Sequence, residues 1–140
     1  MEGTQAITKT LSANDSGETG AHQAGILVPK EQDILDFFPP LGTEEKNPRH
    51  HLPFYDNTGT RWIFAFIYYN NRFFGGTRNE FRLTRMTPYF KGNNLVAGDE
   101  LILERDKDGR RLIRYKRSKK AGIGKDGVLR LGSQWKVIEI

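Results

Sequence analysis

Short apolar runs with the two-residue period of β-strands recur along this chain, separated by clusters of Gly, Pro, Asn, Asp and Ser. The pattern predicts strands at residues 7–11, 25–28, 62–69, 77–85, 101–105, 111–116 and 135–140. Residues 62–69 are apolar on both faces, as in the central strand of a closed or strongly curved sheet. Two hairpin turns are written locally, at Asp56-Asn57-Thr58-Gly59 and at Asp106-Lys107-Asp108-Gly109. One helix is expected from Pro29 to Phe38. Pro29 suits a first turn, Glu31 and Asp33 suit the positive helix end, Ile34, Leu35 and Phe38 form the apolar stripe, and Pro39 and Pro40 end it. Residues 12–21 read as a loop or extended arm, 42–52 as a polar connection and 88–94 as a short irregular or helical link. About seven short strands with one or two short helices make a mostly-β barrel the expected class.

Within that frame, residues 77–85 (Thr-Arg-Asn-Glu-Phe-Arg-Leu-Thr-Arg) stand out. On a strand, Phe81 and Leu83 share the buried face, and Arg78, Glu80, Arg82 and Thr84 share the other. A salt-bridged, solvated strand face is one reading. The other is recognition of base pairs, because Arg donates twice to guanine O6 and N7 and Glu accepts from the cytosine amino group.

Composition narrows the choice. A chain of 140 residues buries one core, so a single domain is expected over 1–140, with residues 1–6 a flexible lead. Lys and Arg number 22 against 17 Asp and Glu, for a net charge of +5. That balance favours a polyanionic partner through phosphate neutralisation. No cysteine is present, which excludes disulfides, thiol catalysis and Cys-ligated zinc. The apolar run at 62–69 is too short to span a bilayer, so no membrane partner is expected.

Three stretches resemble known families. Leu11-Ser12-Ala13-Asn14-Asp15-Ser16-Gly17-Glu18-Thr19-Gly20-Ala21-His22-Gln23-Ala24-Gly25 resembles the opening segment of the N-terminal effector domain of EcoRII-type restriction endonucleases. Residues 68–85, from Tyr68-Tyr69-Asn70-Asn71 through Arg85, resemble the second signature segment of that domain. Leu95-Val96-Ala97-Gly98-Asp99-Glu100-Leu101, with the following hairpin, looks like the closing hairpin of plant B3 DNA-binding domains. The resemblance implies a B3-like DNA-binding pseudobarrel gripping the major groove between an N-terminal arm, 12–23, and a C-terminal arm, 70–85. It further implies recognition of the pseudopalindrome CCWGG (W is A or T), with the bound copy acting as effector in a type IIE enzyme.

Carried onto this sequence, the resemblance makes Arg78, Glu80 and Arg82 base readers on the C-terminal arm, and Asn79 between them is a further candidate. Asn14, Asp15, His22 and Gln23 are their counterparts on the N-terminal arm. Phosphate contacts are expected from Lys9, Ser12, Thr19, Arg72, Thr77, Thr84, Arg85, Lys116 and Lys119, with Arg117, Lys120 and Lys125 as further candidates. Gly76 and Phe81 stand where the family would have basic residues, so contacts there are missing or supplied elsewhere. The resemblance also implies a cytoplasmic, prokaryotic setting, a monomeric domain and no cofactor for binding. Mg²⁺ is then expected only for a nuclease domain on a C-terminal part that this chain lacks.

Two other readings stay open. Asp36 with Glu44-Glu45-Lys46 imitates the acidic residue and Glu-x-Lys of Mg²⁺-dependent nucleases, although the triplet falls in a polar connection rather than on a rigid strand. An OB-type single-strand binder would use Tyr and Phe for stacking, whereas Trp62, Phe64, Phe66 and Tyr68 alternate as core residues do. His50, His51 and Asp56 lack the spacing of a metal site.

Overall fold

The computed structural model describes residues 5–16, 25–118 and 135–138. Among these residues, eight strands form one sheet in the order β2-β5-β4-β3-β7-β6-β1-β8. They are β1 (Gln5–Thr10), β2 (Ile26–Val28), β3 (Arg49–Tyr55), β4 (Arg61–Tyr69), β5 (Glu80–Thr84), β6 (Glu100–Arg105), β7 (Arg111–Lys116) and β8 (Trp135–Ile138). Every pairing is antiparallel except β3 with β7. The sheet curls until its two ends approach: the Trp135 indole N–H on β8 donates to the Leu27 carbonyl on β2 at 3.2 Å. The expected mostly-β, barrel-like class is the observed one, with eight described strands rather than about seven.

Aromatic residues fill the interior. Phe64 and Phe66 on β4 and Phe54 on β3 are at most 1% exposed, and Phe38 stacks on Phe66 with centroids 4.4 Å apart. Alternation on β4 thus places Phe64, Phe66 and Tyr68 in the core, with Trp62 half-buried at its margin. Burying each large apolar side chain stabilises the fold by roughly 1.5–3 kcal/mol. At the sheet edge, a Cβ on Gly25 would lie 2.7 Å from the Leu83 carbonyl oxygen, so glycine there lets β2 close against β5.

Two sequence expectations fail locally. The helix expected over 29–38 contracts to α2 (Gln32–Leu35), because Glu31 is extended (φ −66°, ψ 132°). The Phe37 carbonyl is taken by Arg105 Nη1 (3.2 Å) and Arg111 Nη2 (3.1 Å) rather than by a further helical turn. The polar connection at 42–52 contains the first half of β3: Arg49, His50 and His51 are exposed yet pair with Ile67, Phe66 and Ala65. Backbone pairing with β4 specifies that strand end where side-chain burial does not.

Candidate nucleic-acid interface

Between β4 and β5 the chain leaves the sheet for ten residues. A 3-10 turn, Asn71–Phe74, opens this excursion, and Gly75 at φ +90° reverses it, a conformation that suits glycine. The excursion is braced by Gly76 N–H to Asn71 O (2.8 Å) and Arg72 N–H to Arg78 O (3.0 Å). Its root is held by Asn70, which is fully buried. The Asn70 amide donates to the carbonyls of Glu45 (2.9 Å) and Gly42 (3.3 Å) and accepts from Asn47 N–H (2.8 Å). Residues 72–78 are all exposed. The predicted C-terminal arm is therefore a projecting, internally hydrogen-bonded element.

On the outer face of this arm the expected acid–base row assembles. Glu80 Oε2 accepts from Arg78 Nε (3.1 Å) and Nη2 (2.8 Å), and Arg82 Nη1 lies 3.8 Å away. Arg78 precedes β5 rather than belonging to it. It joins the row because its guanidinium lies 3.8 Å from the centroid of the Tyr69 ring, and Tyr69 is the register partner of Glu80. Leu27 on β2 stands opposite Arg82 and is 45% exposed. Position along the sequence gave no sign of Tyr69 or Leu27 on this face; only the pairing of β5 with β4 and β2 brings them there. Two guanidiniums against one carboxylate leave the row an excess of donors and a net positive charge. Such a set presents both the donors that guanine requires and the acceptor that cytosine requires.

The inner face departs from expectation at Asn79. Alternation sends it the same way as Phe81, which stacks on Tyr68 with centroids 4.1 Å apart. The Asn79 amide lies 2.6 Å from the Tyr68 hydroxyl. With its oxygen turned toward the two cations beside it, it donates to that hydroxyl and accepts from Lys30 Nζ (2.7 Å) and Arg72 Nη1 (3.2 Å). Asn79 is thus a strut for the arm and not a member of the outer row. Lys30, absent from the expected site residues, reaches this point because it follows β2, the edge neighbour of β5.

The N-terminal arm is described only to Ser16. Asp15 is buried: its Oδ2 pairs with Lys9 Nζ at 2.9 Å and accepts from Ser12 N–H, while Ser12 Oγ accepts from Asp15 N–H at 3.1 Å. This reciprocal cap starts α1 (Ala13–Ser16). Lys9, Asp15 and Ser12, all expected at the DNA, are thus engaged with one another in this structure. Asn14 lies on α1. Thr19, His22 and Gln23 lie outside the described residues, as do Lys119, Lys120 and Lys125.

Among the other phosphate candidates, Thr77 lies exposed on the arm, Arg85 just past the end of β5 (φ +66°) and Lys116 at the end of β7. Thr84 is buried, and its hydroxyl donates to the Ala65 carbonyl. Arg117 is committed to the Asn93 and Asn94 carbonyls and to Asp99. Thr84 is thus part of the sheet's interior, whereas the Arg117 side chain is 49% exposed. The sequence also gave no hint that Phe73 and Phe74, 50% and 42% exposed, stand at the arm tip.

The nuclease-like residues do not converge on a strand. Asp36 accepts from Gln32, and Glu44 to Lys46 lie in the bend over which Asn70 is anchored. No group of three His, Asp or Glu among the described residues could hold a metal ion. Asp56 instead organises its turn, accepting from Trp62 Nε1 (3.0 Å), Thr58 and Thr60. Partial burial alone would raise its pKa, but these hydrogen bonds outweigh it and hold the carboxyl down to about 2. No helix among the described residues is long and apolar enough to cross a membrane.

The chain is similar to a bacterial restriction enzyme and to plant auxin response factors. Over 82 residues the chain is 43% identical to the type II restriction enzyme EcoRII of Escherichia coli, covering 55% of this chain and 20% of that one. Auxin response factor 2 of Oryza sativa subsp. japonica is 33% identical over 101 residues, which is 72% of this chain and 13% of the relative. The chain therefore spans a fifth or less of these relatives. Among solved structures, one titled Arabidopsis FUS3-DNA complex matches with a TM-score of 0.62 at 18% identity, covering 80% of this chain and 96% of the other. That likeness establishes the fold. The family model described as "Restriction endonuclease EcoRII, N-terminal" matches residues 1–101, and the chain belongs to that family.

Proposed function

We propose that this domain binds duplex DNA sequence-specifically, reading CCWGG or a close relative in the major groove. The C-terminal arm and the 12–23 segment would grip the duplex from two sides. The observation that carries this reading is the partly exposed Arg78-Glu80-Arg82 row on a braced, projecting arm. Magnitudes favour an exchange of partners. An exposed ion pair such as Arg78–Glu80 (side chains 47% and 32% exposed) contributes about 0–1 kcal/mol. A bidentate contact to a base contributes about 1–3 kcal/mol of discrimination. Releasing Arg78 to guanine and Glu80 to the cytosine amino group is therefore favourable, and Tyr69 keeps Arg78 aimed while free.

Every group in this reading is a protein donor or acceptor, so binding requires no cofactor. The domain would act as a monomeric, cytoplasmic effector module, with any cleavage on another part of a restriction endonuclease. Fluorescence anisotropy of labelled CCWGG and scrambled duplexes at one moderate salt concentration tests the proposal. Tighter binding to CCWGG is expected; equal affinities would overturn it.

A further inference from the structure

The arm carries two pairs of cations, and they differ in charge balance. On the outer face Arg78 and Arg82 share Glu80. On the inner face Lys30 Nζ and Arg72 Nη1 converge on one neutral acceptor, the Asn79 amide oxygen, at 2.7 and 3.2 Å. Neither Lys30 nor Arg72 pairs with a carboxylate among the described residues, whereas Arg78 and Arg82 on the outer face share Glu80. Like charges held together by a neutral dipole repel, and an anion placed between them relieves that repulsion. Both side chains are exposed, so an external anion can reach them.

The pair is also held in place. Lys30 follows β2, whose Val28 is the register partner of Phe81. Arg72 is tied into the 3-10 turn by its backbone bond to Arg78 and lies against Phe73, 5.1 Å from the ring centroid. Asn79 is fixed from behind by Tyr68. A compact ammonium beside a guanidinium, both oriented by an amide, suits the oxygens of a phosphodiester. The site adjoins the base-reading row through successive residues, Arg78 and Asn79 pointing to opposite faces.

We propose that Lys30 and Arg72 form a phosphate clamp for the DNA backbone, with Asn79 as its positioning residue. This rests on the duplex-binding reading above and adds the element that sets affinity rather than sequence preference. By supplying cations from the loop after β2 and from the 3-10 turn, the clamp offsets the neutral Gly76 and Phe81 along this segment.

The test measures anisotropy of the full chain on CCWGG and scrambled duplexes between about 50 and 200 mM salt. Removing one phosphate-neutralising cation lessens the log–log salt slope by about 0.9. Lys30→Ala and Arg72→Ala should each do so, weaken both duplexes by the same factor, and combine to about 1.8 in the double variant. Lys30→Arg should restore the wild-type slope. Asn79→Asp, which supplies an internal carboxylate while keeping the Tyr68 contact, should weaken both duplexes as the double variant does. Unchanged slopes in the alanine variants, wild-type affinity in Asn79→Asp, or loss confined to CCWGG would overturn the clamp. Wild-type protein that binds both duplexes equally would overturn base reading alone, because the slopes still test the clamp. Failure to bind any duplex would overturn both.

Discussion

Two ion pairs of nearly equal length do different work in this domain. Lys9 and Asp15 lie 2.9 Å apart with side chains 9% and 10% exposed. Arg78 and Glu80 lie 2.8 Å apart with side chains 47% and 32% exposed. Both pairs stand at the root of an expected arm, and both were assigned to DNA by sequence. Burial separates them. The first pair cannot be exchanged for a ligand without leaving an uncompensated charge in a poorly solvated place. The second exchanges water and partners freely and loses little when separated. Within this family's arms, opposite charges in sequence are therefore ambiguous until their exposure is known.

The largest effect that would break the comparison is on stability. Asp15→Ala should destabilise the domain by about 3–5 kcal/mol, since it strands Lys9. Chemical denaturation should show this, and a Lys9→Met, Asp15→Leu double variant should recover much of the loss. A loss below about 1 kcal/mol would mean that the pair behaves as a surface one. Next, Arg78→Ala should remove about 1–3 kcal/mol of discrimination between CCWGG and a duplex altered at one G·C pair. Its stability should change by less than about 0.5 kcal/mol; a collapse in stability would erase the distinction between the two pairs.

Asp56 provides an intermediate case. Asp56→Ala should cost about 1 kcal/mol near neutral pH through lost hydrogen bonds from Trp62, Thr58 and Thr60. The folded pKa of about 2 lies below the ordinary 3.8. Its ionised form is therefore favoured by folding, with the full contribution above pH 3.8 and loss as pH falls toward 2. The stability difference between wild type and variant should shrink over that window, and NMR titration should place the Asp56 midpoint near the lower end. The smallest effect concerns Arg114, 2.9 Å from Glu104 with its own side chain 52% exposed. Arg114→Ala should change stability by less than about 1 kcal/mol. A loss matching that of Asp15→Ala would show that exposure is not what distinguishes these pairs.

Much of the C-terminal arm was legible because its signal is local. Alternation from Glu80 to Leu83 fixed the faces of β5, and the same rule, applied one residue earlier, places Asn79 on the inner face. The Ser12–Asp15 cap was not legible because a Ser-x-x-Asp cap and a polar loop use the same residue types. Lys30 was unreadable, since its partners Arg72 and Asn79 are more than forty residues away and meet it only through the β2–β5 edge pairing. The short α2 was overextended for a similar reason: Arg105 and Arg111, distant in sequence, take the Phe37 carbonyl.

By itself, then, the sequence determined the β-rich class, the hairpin turns, the apolar faces and the shared face of Arg78, Glu80 and Arg82. These depend on residue periodicity and turn chemistry within a few positions. Tertiary structure alone decided which charges are available. Sheet curling brings β8 against β2, buries Asp15 with Lys9, commits Arg117 to carbonyls and Asp99, and leaves Lys30 and Arg72 together without a carboxylate. The physical reason is that the energy of a charge depends on its solvation and its neighbours, both of which are set by long-range packing.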